Sequence, residues 1–127
     1  MYLTMSIMAP PAMLRTFDLP DLKLPTGRRN ETHVPAQSLF MLNDPLVHLL
    51  AEHWGQALCQ HTVLTVEERL EQMFLLAYSR RPRADEVQEW STLARELAGD
   101  TDVLSNPKAW SGVAHTLLNT AEFLHYR

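Results

Sequence analysis

The chain has little cysteine, no excess of basic charge and no long apolar run. Cys59 is its single cysteine. That excludes an internal disulfide and a CxxCH haem attachment. It leaves the compartment open, because a disulfide-free domain can fold on either side of a membrane. Lys and Arg number 11 against 15 Asp and Glu, for a formal net charge of -4. Such a chain lacks the basic face of a nucleic-acid binder, so no nucleic-acid partner is expected. No run approaches the roughly 18 apolar residues of a transmembrane helix, so no membrane span is expected. Met1 to Met13 holds no Lys or Arg and includes Pro10 and Pro11, unlike a signal peptide. Internal repeats and low-complexity tracts are missing, and no strand pattern convinces beyond the first few residues.

What remains is a helical chain. Its 127 residues, 46% of them hydrophobic, suit one domain with its own core. Tyr2 to Met8 reads as an extended apolar segment without a partner in the chain, which favours self-association. Pro10 and Pro11 suit the start of a short helix, Ala12 to Phe17, and a long ordered loop follows from Leu19 to Val34. A short helix is expected from Pro35 to Leu42. Four longer ones follow at Leu46–Gln60, Val66–Ser79, Ala84–Ala98 and Pro107–Leu124.

Each has its own start signal: Asp44 with Pro45, the Thr65-to-Glu68 capping box, Asp85 with Glu86, and Asn106 with Pro107. Their 3.6-residue stripes predict the inward faces. These are Leu46, Leu50, Trp54, Ala57 and Leu58; then Val66, Leu70, Met73, Phe74, Ala77 and Tyr78. Val87, Trp90, Ala94 and Leu97 come next, then Trp110, Val113, Ala114, Leu117, Leu118, Ala121 and Leu124. Gly55 within a helix implies a close neighbour, and Gly99 implies a helix end. The fold expected is an all-α bundle of four to six helices with a long ordered loop near the N-terminus, forming a single domain over residues 1–127.

The chain is organised around Thr26 to Asp44, where Gly27, Arg28 and Arg29 precede a polar run, Pro35 and an apolar helix start. Gly27, Arg28, Arg29, Val34, Pro35, Gln37, Leu39, Leu42, Asn43 and Pro45 form a Gly-Arg-Arg turn followed by Val-Pro-x-Gln-x-Leu-x-x-Leu-Asn-x-Pro. This resembles the C-terminal region of the planctomycete-specific domain family PSD, domain of unknown function 1553. Asp18 and Asp21 fit the same pattern, although Leu22 replaces the usual Pro or Asn. Arg80 and Pro82 match a second turn, where Ser79, Arg81 and Arg83 depart; Arg83 cannot cap the next helix as Thr does, so fraying is expected there. Leu117 to Phe123 is similar to the family's closing Leu-Leu-Asn-x-x-Glu-Phe.

The resemblance implies an all-α domain, uncharacterised in activity and forming the C-terminal part of a longer, exported or periplasmic bacterial protein. It also implies upstream domains of the same protein as partners, with a c-type cytochrome-like domain among them. No cofactor is expected in this chain; haem belongs elsewhere in a full-length protein.

Arg28 and Arg29 could form an anion site, because guanidinium forks fit carboxylates and phosphates. The plainer reading is a strut to an internal carboxylate. At least one of Arg28, Arg29 and Arg80 is expected to pair with Glu122, directly or through Asn119, with Glu122 part-buried. Asn119 and Glu122, three apart on a helix, could also serve as a base and its orienter. His48 and Glu52, four apart, could reach one metal ion, yet no third ligand is evident. Cys59 and His61 could make a nucleophile pair but lack an oxyanion-hole glycine cluster. Trp54, Trp90, Trp110 and most methionines read as core. Two functions remain: a structural or protein-interaction domain of a large exported protein, or part of a periplasmic enzyme or electron-transfer assembly whose pocket is completed by upstream sequence.

Overall fold

Three of the longer helices of this chain begin where a side chain accepts the first free amides. A computed structural model describes Thr16 and residues 35–61 and 63–124. The extended segment at Tyr2 to Met8, most of the Ala12 to Phe17 helix, the Leu19 to Val34 loop, and Arg28 and Arg29 lie outside them. Two compact units are distinguished, Met1–Met41 and Leu42–Arg127. In the first, the buried amide of Gln37 donates to the Thr16 carbonyl at 3.1 Å.

The helices are α1 (Pro35–Asn43), α2 (Pro45–Gln60), α3 (Val66–Tyr78), α4 (Ala84–Ala98), α5 (Pro107–Leu118) and the one-turn α6 (Ala121–Leu124). A 3-10 turn at Val103–Ser105 precedes α5, and no strand occurs among the described residues. The protein is therefore all-α, a small helical bundle.

Asp44 Oδ1 accepts from Leu46 N at 2.8 Å, and Pro45 supplies the first turn of α2. The capping box of α3 is closed by Thr65 N to Glu68 Oε2 at 2.8 Å and Glu68 N to Thr65 Oγ1 at 3.3 Å. Asn106 Oδ1 accepts from Lys108 N and Ala109 N at 3.0 and 3.2 Å to start α5. Such caps contribute about 1 kcal/mol each. The start of α4, where fraying is expected, has a substitute for the absent Thr cap. Glu86 reaches back and accepts the Arg83 amide at 2.8 Å, replacing the missing N-cap oxygen with the carboxylate half of a capping box.

Helix α5 is the hub. It pairs most extensively with α2 and also packs on α3, α4 and α6. Trp110, Val113, Ala114 and Leu117 are wholly buried on it, facing Leu70, Met73 and Phe74 of α3 and Ala94 of α4. The stripes expected on α3 and α5 are largely these residues.

Three expectations need correction. On α2 the buried face is Val47, Ala51, Gly55 and Leu58, while Leu50 is 54% exposed. On α4 it is Ser91, Ala94 and Ala98, while Leu97 is 45% exposed. Small residues, Ala51 and Gly55 on α2 and Ser91, Ala94 and Ala98 on α4, occupy much of these faces and let helices approach closely, so Leu50 and Leu97 turn outward. Finally, no single helix runs from Pro107 to Leu124. It stops at Leu118 because Thr120 Oγ1 donates to the Leu117 carbonyl at 2.8 Å and accepts the Phe123 amide at 3.3 Å. That break rotates Ala121 out to solvent.

Candidate functional site

Helix α3 ends in Ser79, whose φ of 56° is left-handed and whose amide donates to the Leu75 carbonyl at 3.0 Å. The turn carries Arg80 back over the end of the helix, its Cζ 5.4 Å from the Phe74 ring centre and 5.5 Å from that of Tyr78. A side chain in left-handed backbone costs about 1 kcal/mol relative to glycine. Ser79→Gly is therefore expected to raise stability by about 0.5–1 kcal/mol, seen as a higher urea midpoint; a lower midpoint contradicts this reading of the turn.

A guanidinium has five N–H donors, and Arg80 has all of them engaged. Nε and Nη2 fork onto Glu122 at 2.6 and 2.7 Å. Nη1 and Nη2 fork onto Glu86, both at 2.8 Å, and Nη1 also reaches the Arg81 carbonyl at 3.1 Å. Alongside, Thr120 Oγ1 lies 2.7 Å from Tyr78 Oη. Both hydroxyls also reach the Leu117 carbonyl, Thr120 Oγ1 at 2.8 Å and Tyr78 Oη at 3.4 Å. The cluster thus ties the α3–α4 turn, the first turn of α4 and the helix α6.

The carboxylates respond. Arg80's hydrogen bonds, with lesser help from the Arg83 amide and against some burial, hold Glu86 down to about 2. Glu122 is also lowered, chiefly by Arg80. Both folded values lie below the ordinary 4.5, so their stabilisation is complete above that pH and is lost as pH falls toward about 2. Across that window the wild-type urea midpoint is expected to decline. Glu86→Gln should start lower at neutral pH and fall less; equal slopes would contradict the assignment.

Glu122 is more open than expected, with 47% of its side chain exposed, because α6 turns away after the break. Asn119 does not bridge it to an arginine in any of its hydrogen bonds. Its Nδ2 donates to the His115 carbonyl at 2.7 Å and its amide to Thr116, so it finishes α5; Oδ1 is buried without a partner. Arg81 pairs separately with Glu71 at 2.9 Å on the surface.

A second arginine went unremarked in the sequence. Arg69 is 1% exposed. Nη1 donates to the Leu104 carbonyl at 2.7 Å and Nη2 to the His61 carbonyl at 3.0 Å, with Cζ 5.4 Å from the Trp110 ring centre. His61 follows the C-terminus of α2, where the helix dipole favours a cation. The available signal was position: Arg69 lies three after Val66 and four before Met73, within the inward stripe.

The other candidates take structural places. His48 stacks on His115 with ring centres 4.3 Å apart. Cys59 is half-buried against the core and His61 is exposed, its carbonyl engaged by Arg69. Trp110 is wholly buried and donates to the Val103 carbonyl at 2.8 Å; Trp54 and Trp90 pack partly buried on the core. Among the described residues no group of three or more His, Cys, Asp or Glu could hold a metal ion, and no helix is long and apolar enough to cross a membrane.

A bundle pinned by internal arginine struts defines a helical domain class without naming a reaction. The sequence profile of PSD1, described as "Protein of unknown function (DUF1553)", matches residues 1–94. The chain belongs to this family. The match includes the Gly27-Arg28-Arg29 sequence, Arg69, Arg80 and Glu86, whereas Asn119 and Glu122 lie beyond it. No curated protein and no solved structure matches the chain.

Proposed function

We propose that this chain is a structural, protein-interaction domain of a larger exported bacterial protein, held against upstream domains of that protein. One observation carries the reading. Arg80, the described member of the candidate anion-binding arginines, has all five donors engaged by Glu86, Glu122 and the Arg81 carbonyl. A guanidinium so occupied positions the chain rather than a ligand. The family resemblance supports a periplasmic or exported setting and a c-type cytochrome-like domain as a partner. In such an assembly any haem sits on that partner.

The test is a titration of the chain against separately produced upstream domains from its own reading frame. Saturable heat with Kd of about 1 μM or tighter is expected. Absence of binding, together with turnover by the chain itself, contradicts the proposal.

A further inference from the structure

The α2–α5 pairing carries two imidazoles face to face. His48 and His115 stack with ring centres 4.3 Å apart and planes at 17°. They line a groove of about 570 Å³ with Glu52, Gln56, Lys108 and Ser111 among their neighbours. The Leu42 carbonyl faces the His115 ring, while Nε2 is buried with no partner. A neutral ring can keep its proton on Nδ1 and leave Nε2 a bare lone pair. This arrangement suits a neutral ring alone. A proton on Nε2 would be a buried N–H without an acceptor, and its charge would lie against His48.

We propose that the His48–His115 stack is a pH-sensitive joint that closes the Leu42 end of the α2–α5 pairing while His115 is neutral and loosens on acidification. Among the described residues, the charged and titratable groups facing the joint are His48 and Glu52 from α2 and Lys108 from α5; at Leu42 the contact is a carbonyl, and α1 has no charged residue. Burial first, and His48 second, push His115 below its ordinary 6.5, against the Leu42 carbonyl. A lowered folded value means that the unfolded chain takes up the proton more readily. Stability is thus complete above about 6.5 and is lost as pH falls below it.

The experiment follows the whole chain from about pH 8 to about pH 5, by thermal melting and by NMR of the histidine rings. Wild type is expected to lose about 3–6 °C of Tm across this range. His115→Phe keeps an aromatic ring against His48 but cannot take the proton, so it should lose less than half as much. His53→Gln, exposed on α2 like His48, should lose as much as wild type. If His115→Phe does not fold, the wild-type ring titration decides. A His115 midpoint below about 6.5, with shifts at Leu42 and His48, supports the joint. A midpoint at or above that value, or an unchanged slope in His115→Phe, overturns it.

Discussion

Arg69→Met should lower the stability of this chain by about 3 kcal/mol, seen as a fall in urea midpoint at constant slope. Methionine fills much of the volume but leaves the His61 and Leu104 carbonyls without their donors at 3.0 and 2.7 Å. Each lost charged hydrogen bond in a buried place costs about 1.5 kcal/mol or more. The loss also unties two loops from α3, the one after α2 and the one before α5. Arg69→Lys separates charge from geometry. Lysine keeps a cation near the C-terminus of α2 but cannot span both carbonyls as a planar fork does, so it should recover less than half of the loss. Full recovery by lysine would show that the dipole alone matters.

Gly55→Ala is expected to destabilise by about 2 kcal/mol, against the helix propensity of alanine. Alanine gains about 1 kcal/mol in a helix over glycine. Here its Cβ would fall 2.4 Å from Ser111 Oγ, 2.5 Å from Ser111 N and 2.7 Å from the Pro107 carbonyl oxygen. Two of those atoms are backbone, so the helices must part, and overpacking of this kind costs about 3 kcal/mol. Removing the hydroxyl with Ser111→Gly should not rescue the variant, because both backbone contacts remain. Gly112→Ala provides the contrast. Its Cβ meets only the side chain of Leu97, at 2.9 Å, and Leu97 is 45% exposed and free to swing. That variant should be neutral or slightly stabilised. Thermal melts of the two alanine variants side by side check the prediction; equal effects would contradict the close α2–α5 crossing.

The helix boundaries were legible because caps are local chemistry. Asp44, Thr65, Gly99 and Asn106 each act within three or four residues, so the sequence carries the whole interaction. Glu86 was read for its charge at a helix start, and only the fold reveals it accepting both Arg80 and the Arg83 amide. The inward faces of α2 and α4 were only partly legible from hydrophobicity: Trp54, Leu58, Trp90 and Ala94 meet the core as expected, whereas Leu50 and Leu97 do not. Close approach selects Gly55, Ala51 and Ala98, which a search for large apolar residues passes over. Arg69 was missed for the converse reason: a charged residue carries no apolar signal within a stripe, although the His61 and Leu104 carbonyls wait for it. The break at Thr120 depends on a hydroxyl satisfying two neighbours at once, and the His48–His115 stack joins helices 67 residues apart by their numbers. No periodicity encodes either.

The central claim, that Arg80 is an internal strut, is tested most directly by double-mutant cycles of Arg80→Met with Glu86→Gln and with Glu122→Gln, read by urea melts. Coupling of about 1–2 kcal/mol is expected for the more enclosed Glu86, and about 0.5–1 kcal/mol for the more exposed Glu122. Losses that add to within about 0.3 kcal/mol in both cycles would contradict the strut and return Arg80 to the role of a ligand-binding residue.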